Sequence, residues 1–294
     1  MERSTQRDLI VGAVTGYNFD QIAPWVNSLD RSGFSGYKVV LAYNMDVATV
    51  RELVSRKYTV LAFEQDPVGN LVYKKNPFSI VVERFMHYYM LLSHMNDVRY
   101  ILATDVKDVI FQHNPSAHLE YYLEQSGKHI LASCEELTYE QEPWGNNNLL
   151  QSFGPHIHKT HLRNMIYNAG VTAGEAKTYL GMCKTIALMC GGAPQFVPGG
   201  GGPDQAAYNI LLDTPVYQEC TFFANHSSTW AAQLGTTMDP TKRAMYQPHI
   251  GLCRPAYSTK HDLVMNPRNE PYAIVHQWDR VPEVRAMVER KYRV

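Results

Sequence analysis

The sequence predicts an α/β protein built on a central, mainly parallel β-sheet. Within roughly its first sixty residues, short apolar runs alternate with amphipathic helical patterns, which is typical of βαβ units. The 294 residues are 45% hydrophobic and 19% charged, enough to bury one sizeable core. Because no internal repeat or change of composition marks a linker, we interpret residues 1–294 as a single domain.

The first predicted element is a buried strand over residues 8–14, an apolar run that ends in the turn Thr15-Gly16-Tyr17. Helical and strand periodicities then alternate along the chain. The elements that follow are a helix over 19–32, a strand over 37–43, a helix over 47–57 and a strand over 59–63.

A further helix is predicted to start at Asn76-Pro77, because Asn caps helices and Pro suits their first turn. Its apolar face comprises Phe78, Val81, Phe85, Tyr88 and Leu92. A strand over 100–104 comes next, and Asp105 and Asp108 follow it directly. In open α/β sheets ligands bind at the carboxyl ends of the strands, so these carboxylates mark a candidate site.

Charge and cysteine content exclude several classes of protein. The 27 basic and 28 acidic side chains create no field that would attract nucleic acid or an anionic membrane. The five scattered cysteines form no Cys-x-x-Cys pair, which indicates reduced thiols. No apolar run reaches 18 residues and the first residues are polar, so we expect a soluble, cytoplasmic protein without a membrane span.

The two aspartates at the end of strand 100–104 predict a metal site. Carboxylates three residues apart repel each other unless a cation neutralises them, and Mn²⁺ or Mg²⁺ prefers oxygen ligands. Such an ion usually keeps positions open for phosphate oxygens, which predicts a diphosphate ligand. The alternative is a solvated turn in which Asp108 pairs with Lys107 or caps a helix.

Residues 100–112 resemble the metal-binding strand of GT-A glycosyltransferases, in an Asp-x-x-Asp variant of the usual Asp-x-Asp motif. Residues 167–171, 201–209 and 274–280 resemble three further blocks of that family, in the same order. The departure is Lys107, which stands where the commoner motif has its second aspartate and leaves the direct ligand open between Asp105 and Asp108. The compact architecture is also similar to glycosyltransferases encoded by large algal viruses, which would act in the host cytoplasm.

The resemblance implies a Rossmann-like αβα sandwich of the GT-A type and a role for each matching residue. The implied metal ligands are Asp105, Asp108 and His276. The implied nucleotide contacts are Thr15, Gly16, Tyr17, Arg84 and Arg280, with Tyr17 stacked on uracil and Arg280 on the diphosphate. The implied donor-sugar contacts are Asn168, Ala169, Gly170 and Gln205. The alternatives are core packing for Tyr17 and His276, a solvated or packed helix position for Arg84, a salt bridge to Asp279 or Glu283 for Arg280, and a turn at 168–170.

The implied reaction is transfer of a hexose, or a pentose such as xylose, from a UDP-sugar to a glycan hydroxyl, with Mn²⁺ or Mg²⁺ as cofactor. Inverting transfer, which we favour slightly, needs a base, and Asp204 is the candidate. Asp204 is also interpreted as a donor-sugar contact or a helix cap. The rival carboxylates are Glu135, Glu136, Glu140 and Glu142, and Trp144 offers a flat face to an acceptor sugar.

Three other features of the sequence suggest further hypotheses. The glycine run from Gly199 to Gly202 predicts a hinge that closes over the donor, or else a surface loop. The spacing of His156, His158 and His161 resembles a zinc motif and suggests a zinc-dependent hydrolase as the competing function, but Thr160 stands where that motif has Asp, so we favour a solvated or acceptor-facing loop. The replacement at Lys107 allows a third interpretation, a nucleotide-sugar binding module without transferase activity.

Overall fold

The computed structural model describes residues 6–73, 78–251 and 254–293, and its centre is a seven-stranded sheet. In spatial order the strands are β10 (Thr221–Ala224), β8 (Ile130–Thr138), β9 (Met165–Glu175), β6 (Val98–Thr104), β1 (Arg7–Thr15), β2 (Tyr37–Asn44) and β3 (Thr59–Ala62). Strand β9 runs antiparallel to both of its neighbours, and the other pairs are parallel. The mainly parallel sheet is thus confirmed.

Helices cover both faces of this sheet because its central strands are apolar on both sides. On one face Ile10 of β1 packs with Trp25 of α1 (Phe19–Arg31). On the other face Leu9 packs with residues of three helices. These are α3 (Ile80–Ser93), α6 (Ala176–Gly191) and α7 (Asp204–Leu212). Alternate residues of one strand therefore face two helical layers, which makes an αβα sandwich.

The predicted first half agrees closely with the structure. Helix α2 (Val47–Ser55) lies between β2 and β3 as the periodicity predicts. The start of α3 was predicted wrongly: it begins at Ile80 with Ser79 as its cap residue, so Phe78 precedes the helix and is 39% exposed. The predicted cap, Asn76-Pro77, lies outside the described residues.

A second, three-stranded sheet lies beside the edge of the first and joins distant parts of the chain. It consists of β11 (Ala231–Gln233), β14 (Ile274–His276) and β7 (Val109–Phe111), in that order. Its apolar residues pack against helix α11 (Pro282–Tyr292). In the register of this sheet His276 lies between Gln233 and Val109, so the carboxyl-terminal segment is fixed next to the segment that carries Asp105 and Asp108.

Apart from one helix of 19 residues, the remaining elements are short. Two hairpin-like pairs are β4 (Glu64–Gln65) with β5 (Leu71–Val72) and β12 (Ala256–Ser258) with β13 (Leu263–Met265). The other helices are α4 (Pro115–Leu119), α5 (Pro143–His161), α8 (Pro215–Cys220), α9 (Leu234–Thr237) and α10 (Arg243–Ile250). Within the described ranges, every helix is too short or too polar to cross a lipid bilayer.

Candidate active site

The candidate site lies at the carboxyl edge of the central sheet. Asp105 directly follows β6, and its backbone N–H donates to the Gly170 carbonyl on the neighbouring strand β9, at 2.8 Å. Asp108 precedes β7, and its carbonyl accepts from the N–H of Gln277, which follows His276. The two sheets thereby hold both aspartates beside the histidine.

Asp105, Asp108 and His276 form a cluster with the geometry of a metal site. Each residue offers one ligand atom, and the three atoms lie within 4.8 Å of one another. His276 Nε2 is 3.7 Å from Asp105 Oδ2 and 3.6 Å from Asp108 Oδ1. Ligand atoms held about 2.1 Å from one ion are about 3 Å apart at right angles and about 4 Å apart when opposite, so the two distances from His276 suit the binding of one divalent cation.

Gly170 leaves the space that this cluster requires. A Cβ atom at Gly170 would lie 2.6 Å from Cε1 of His276, 2.7 Å from Oδ2 of Asp105 and 2.9 Å from Oδ1 of Asn168. Real Cβ atoms do not approach other heavy atoms so closely. The absence of a side chain at this position therefore lets all three groups converge on one point.

The charges of the cluster are strongly coupled. Burial alone would lower the pKa of His276, but the carboxylates of Asp108 and Asp105 raise it to about 10. Burial would raise the pKa of Asp105, but the Arg84 guanidinium and His276 hold it well below its usual range. Both shifts have the same cause, because the positively charged groups and the carboxylates of the cluster favour each other's charged forms.

Arg84 links this cluster to the second half of the chain. It lies on α3 and is buried, with Nη1 2.5 Å from Oδ1 of Asp105 and Nη2 2.9 Å from Oδ2 of Asp204. Nη2 also donates to the Ala169 carbonyl at 3.3 Å. The planar guanidinium thus bridges two carboxylates and fixes their separation. The alternative of a solvated helix position does not hold for Arg84.

The cluster opens into a cavity of about 410 Å³, a volume typical of small-ligand sites. Ten of the predicted site residues line it. They are Arg84, Asp105, Asp108, Asn168, Ala169, Gly170, Asp204, Gln205, His276 and Arg280.

The three predicted residues of the first strand end lie outside this lining. Tyr17 packs against the core cluster beside β1, and the ammonium of Lys107 lies 5.7 Å from the centre of its ring. Gly16 has a positive φ of 70° and its N–H donates to the Asn44 carbonyl, while Thr15 accepts from the Asn44 side chain. Their nucleotide contact stays a prediction, and the structure supports the alternative of core packing for Tyr17.

Asp204 and Gln205 begin helix α7 on the side of the cavity facing Arg84. The cap position of α7 is Pro203 and Asp204 is the first helical residue, so the helix-cap interpretation of Asp204 is not supported. Burial raises the pKa of Asp204, although the charge of Arg84 opposes that shift. Gln205 accepts from the Ala169 N–H at 3.2 Å through Oε1. Both side chains are therefore fixed beside the 168–170 segment.

Asn168 connects the metal cluster with Glu135 of β8. Its Oδ1 accepts from the Gly170 N–H and its Nδ2 donates to Oε1 of Glu135, each at 2.6 Å. Burial raises the pKa of Glu135 to about 7, against the hydrogen bond from Asn168, which lowers it. A carboxyl group with a pKa near neutrality inside a polar cavity is suited to proton transfer.

The other three glutamates considered as candidate bases lie in different surroundings. Glu142 lines the cavity but caps helix α5 and accepts from the Tyr246 hydroxyl at 2.5 Å. Glu136 accepts from the His226 backbone, and Glu140 is exposed. Of the four glutamates in this segment, only Glu135 and Glu142 line the cavity.

The glycine run is tied to helix α5. Asn147 Nδ2 donates to the Pro198 carbonyl at 2.7 Å, and Asn148 Nδ2 donates to the Gly202 carbonyl at 3.0 Å. A Cβ atom at Gly201 would lie 2.7 Å from the ring of Trp144, which lines the cavity and is 39% exposed. The run thus forms a wall of the cavity here, and hinge motion stays a prediction.

Arg280 lies in the short 3-10 turn Trp278–Arg280 that follows β14. Its Nε is 3.3 Å from Oδ1 of Asp279, and its side chain is 52% exposed. The predicted salt bridge to Asp279 is therefore present, and the same side chain reaches the cavity lining.

The histidines of the hydrolase hypothesis do not converge. They lie on α5 after a kink at Gly154, where φ is 78°, and not in a loop as expected. Nε2 of His158 contacts Oδ1 of Asn146, and His161 contacts the Ile157 carbonyl and Asp213. His156 and His158 are two positions apart and so point to different sides of the helix, which keeps the three side chains from meeting at one ion. Among the described residues, the cluster with metal-binding geometry is Asp105, Asp108 and His276.

The mainly parallel sheet and the αβα layers are consistent with a Rossmann-like GT-A fold. A solved structure of the galactosyltransferase LgtC, in complex with donor and acceptor sugar analogues, is similar over 91% of this chain and 86% of its own, with 17% identity and a TM-score of 0.50. A structure of an active-site mutant of LgtC shows the same coverage and TM-score at 16% identity. No family profile and no curated protein matches the sequence.

Proposed function

We propose that this protein is a metal-dependent glycosyltransferase that moves a sugar from a UDP-sugar to a hydroxyl of a glycan acceptor. The observation that carries the proposal is the convergence of Asp105, Asp108 and His276 inside a polar cavity. Ligand atoms from two segments distant in sequence, 105–108 and 274–276, meet there, and Gly170 leaves them room. The GT-A fold supports the same function by analogy.

The three residues of the cluster would hold Mn²⁺ or Mg²⁺. When bound, such an ion would neutralise the diphosphate of the donor and so make it a better leaving group. Arg84 keeps Asp105 ionised and in place through its 2.5 Å ion pair. Arg280 reaches the same cavity and offers a guanidinium to phosphate oxygens.

The donor sugar would lie between the cluster and helix α7. The polar groups that line this part of the cavity are the side chains of Asn168, Asp204 and Gln205. Asp204 is fixed by Arg84, and Gln205 is fixed by the Ala169 N–H, which leaves its NH₂ group to meet a sugar hydroxyl. Side chains held by such neighbours orient a substrate with little loss of their own entropy.

The acceptor would enter on the side of Glu135 and Trp144. An inverting transfer, which we still favour, needs a base for the acceptor hydroxyl, and both Asp204 and Glu135 line the cavity. Asp204 has one oxygen committed to Arg84. Glu135 has a pKa raised to about 7 by burial, so it can both take and release a proton near neutral pH. We therefore add Glu135 to Asp204 as a candidate base.

The test is a screen of UDP-sugars with Mn²⁺ present, in which released UDP is measured and the anomeric configuration of the product is determined by NMR. We expect slow UDP release with one donor and its loss in Asp108→Asn. An axial-to-equatorial or equatorial-to-axial change at the anomeric carbon would support inversion, and an unchanged configuration would refute it. UDP binding without release from any donor would instead support the inactive binding module.

A further inference from the structure

A buried amide touches the side of His276 that faces away from the cavity. Gln233 is the last residue of β11, and it pairs in register with His276, the last residue of β14. Its Oε1 lies 2.6 Å from Nδ1 of the imidazole. Gln233 is fully buried and His276 is 2% exposed, so water cannot replace this contact.

The contact decides which nitrogen of His276 carries a proton. A neutral imidazole has one N–H and one lone pair, and an amide oxygen only accepts hydrogen bonds. In the neutral form that can bind a cation, Oε1 at Nδ1 places the proton on Nδ1 and directs the lone pair of Nε2 to the site between the carboxylates, which lie 3.6 and 3.7 Å away. With the amide reversed, Nε2 would carry the proton and the lone pair would face Gln233, where no cation could use it.

Hydrogen bonds to residues outside the cavity fix the backbone of Gln233. Its N–H donates to Nε2 of buried His226 at 3.1 Å, and its carbonyl accepts from the Thr237 hydroxyl at 2.6 Å. Its Nε2 is buried without a hydrogen-bond partner. Burying an unpaired amide N–H costs roughly 1–3 kcal/mol, so an apolar residue would suit stability better at this position. In the side-chain amide of Gln233 only Oε1 has a hydrogen-bond partner, and that partner is His276, the candidate metal ligand.

We propose that Gln233 is a positioning residue for the metal centre, which holds His276 as the Nδ1–H tautomer with Nε2 directed at the site between Asp105 and Asp108. This inference rests on the proposed metal site. Gly170, whose lack of a side chain leaves room for His276 Cε1, allows the ring to take this position. Groups that orient a metal-bound histidine typically contribute 10- to 100-fold to metal affinity.

Mn²⁺ affinity, measured from the EPR signal of the free ion, tests the proposal without recourse to activity. We expect Gln233→Leu to bind Mn²⁺ about 10- to 100-fold more weakly than the unmodified chain, and Gln233→Glu, which keeps an oxygen at Nδ1, to recover most of the affinity. The matched control is Gln112→Leu, because Gln112 is a partly buried amide that bonds only to the backbone of Val264 and Tyr272. It should lose stability without losing Mn²⁺ affinity.

The outcomes separate the two proposals. If the unmodified chain binds no Mn²⁺, the metal site and the proposed function fail. If the unmodified chain binds Mn²⁺ and the dissociation constant of Gln233→Leu is within threefold of its value, only the role proposed for Gln233 fails. Should Gln233→Leu not fold, ¹⁵N NMR of His276 in the unmodified chain with Mg²⁺ decides: a proton on Nδ1 supports the proposal, and a proton on Nε2 overturns it.

Discussion

The change from Gly170 to alanine adds one methyl group at the point where the candidate metal ligands meet. Its Cβ would lie 2.6 Å from His276 Cε1 and 2.7 Å from Asp105 Oδ2, while ordinary contacts begin near 3.4 Å. The ligands would therefore have to move apart by about 0.7–0.8 Å, the difference between these distances. Functional sites must hold their geometry within about 0.5 Å, so the three ligand atoms would no longer fit one ion.

We expect Gly170→Ala to reduce Mn²⁺ affinity about 10- to 100-fold, which corresponds to roughly 1.4–2.8 kcal/mol. Overpacking should also lower the free energy of unfolding by about 1–3 kcal/mol. Isothermal titration with Mn²⁺ measures the first effect, and urea denaturation without metal measures the second. Both effects arise from the same methyl group, so they should appear together.

Gly181→Ala is the matched control for this experiment. Gly181 lies in helix α6, and a Cβ atom there would meet nothing within 4 Å. Alanine should therefore raise helix stability by up to about 1 kcal/mol and leave Mn²⁺ affinity unchanged. If Gly170→Ala bound Mn²⁺ as tightly as the unmodified chain, the three residues would not be the ligands of one ion and our reasoning on the cluster would be refuted.

Four further predictions concern substitutions in the cavity and on helix α5. Arg84→Met should lower the free energy of unfolding by about 3 kcal/mol, because it leaves buried Asp204 and partly exposed Asp105 without their shared guanidinium; a loss below about 1 kcal/mol in urea denaturation would contradict this. Glu135 has a pKa of about 7 in the folded chain against a usual 4.5, so the native state binds more protons than the unfolded state between these pH values. The contribution of the Glu135 carboxyl group to stability is therefore complete below pH 4.5 and is lost as pH rises through 7. The stability of the unmodified chain should therefore fall by up to about 3 kcal/mol relative to Glu135→Gln across that range, and parallel curves would disprove the shift. Trp144→Ala should raise the acceptor KM severalfold with little effect on UDP release in the absence of acceptor, and an unchanged KM would remove Trp144 from the acceptor side. His158→Ala should leave metal content and Mn²⁺ affinity unchanged, because this side chain contacts Asn146 on the same helix, and a loss of bound zinc would revive the hydrolase hypothesis.

The sequence was sufficient to predict the first half of the fold. Residues 8–14 and 100–104 are apolar at every or nearly every position, which is the pattern of strands buried on both faces, and they became β1 and β6. It also indicated that Asp105 and Asp108 would lie near His276, although only through the family resemblance. The second sheet shows why: His276 is placed by pairing with Val109, a contact across 167 positions of the chain that local periodicity does not encode.

Gln233 and the histidines on α5 are positions whose surroundings the sequence pattern did not predict. A glutamine after two alanines carries no local signal, and its meaning comes from the register that places it opposite His276. His156, His158 and His161 suggested a metal motif by spacing, but on a helix His156 and His158 point to different sides. Tyr17 lies against the core and Lys107, as its alternative interpretation predicted, and its contact with the nucleotide stays a prediction. Such positions depend on tertiary contacts.

The most direct test of the central claim is the binding of UDP measured by isothermal titration with Mn²⁺ and then with EDTA, for the unmodified chain and for Asp108→Asn. Asp108 faces His276 without a bond to Arg84, so this variant removes a ligand charge and leaves the Arg84 bridge intact. We predict UDP binding that requires Mn²⁺ and is weakened at least tenfold in Asp108→Asn. UDP binding that is equally tight with EDTA and in the variant would contradict a metal-dependent sugar-nucleotide site.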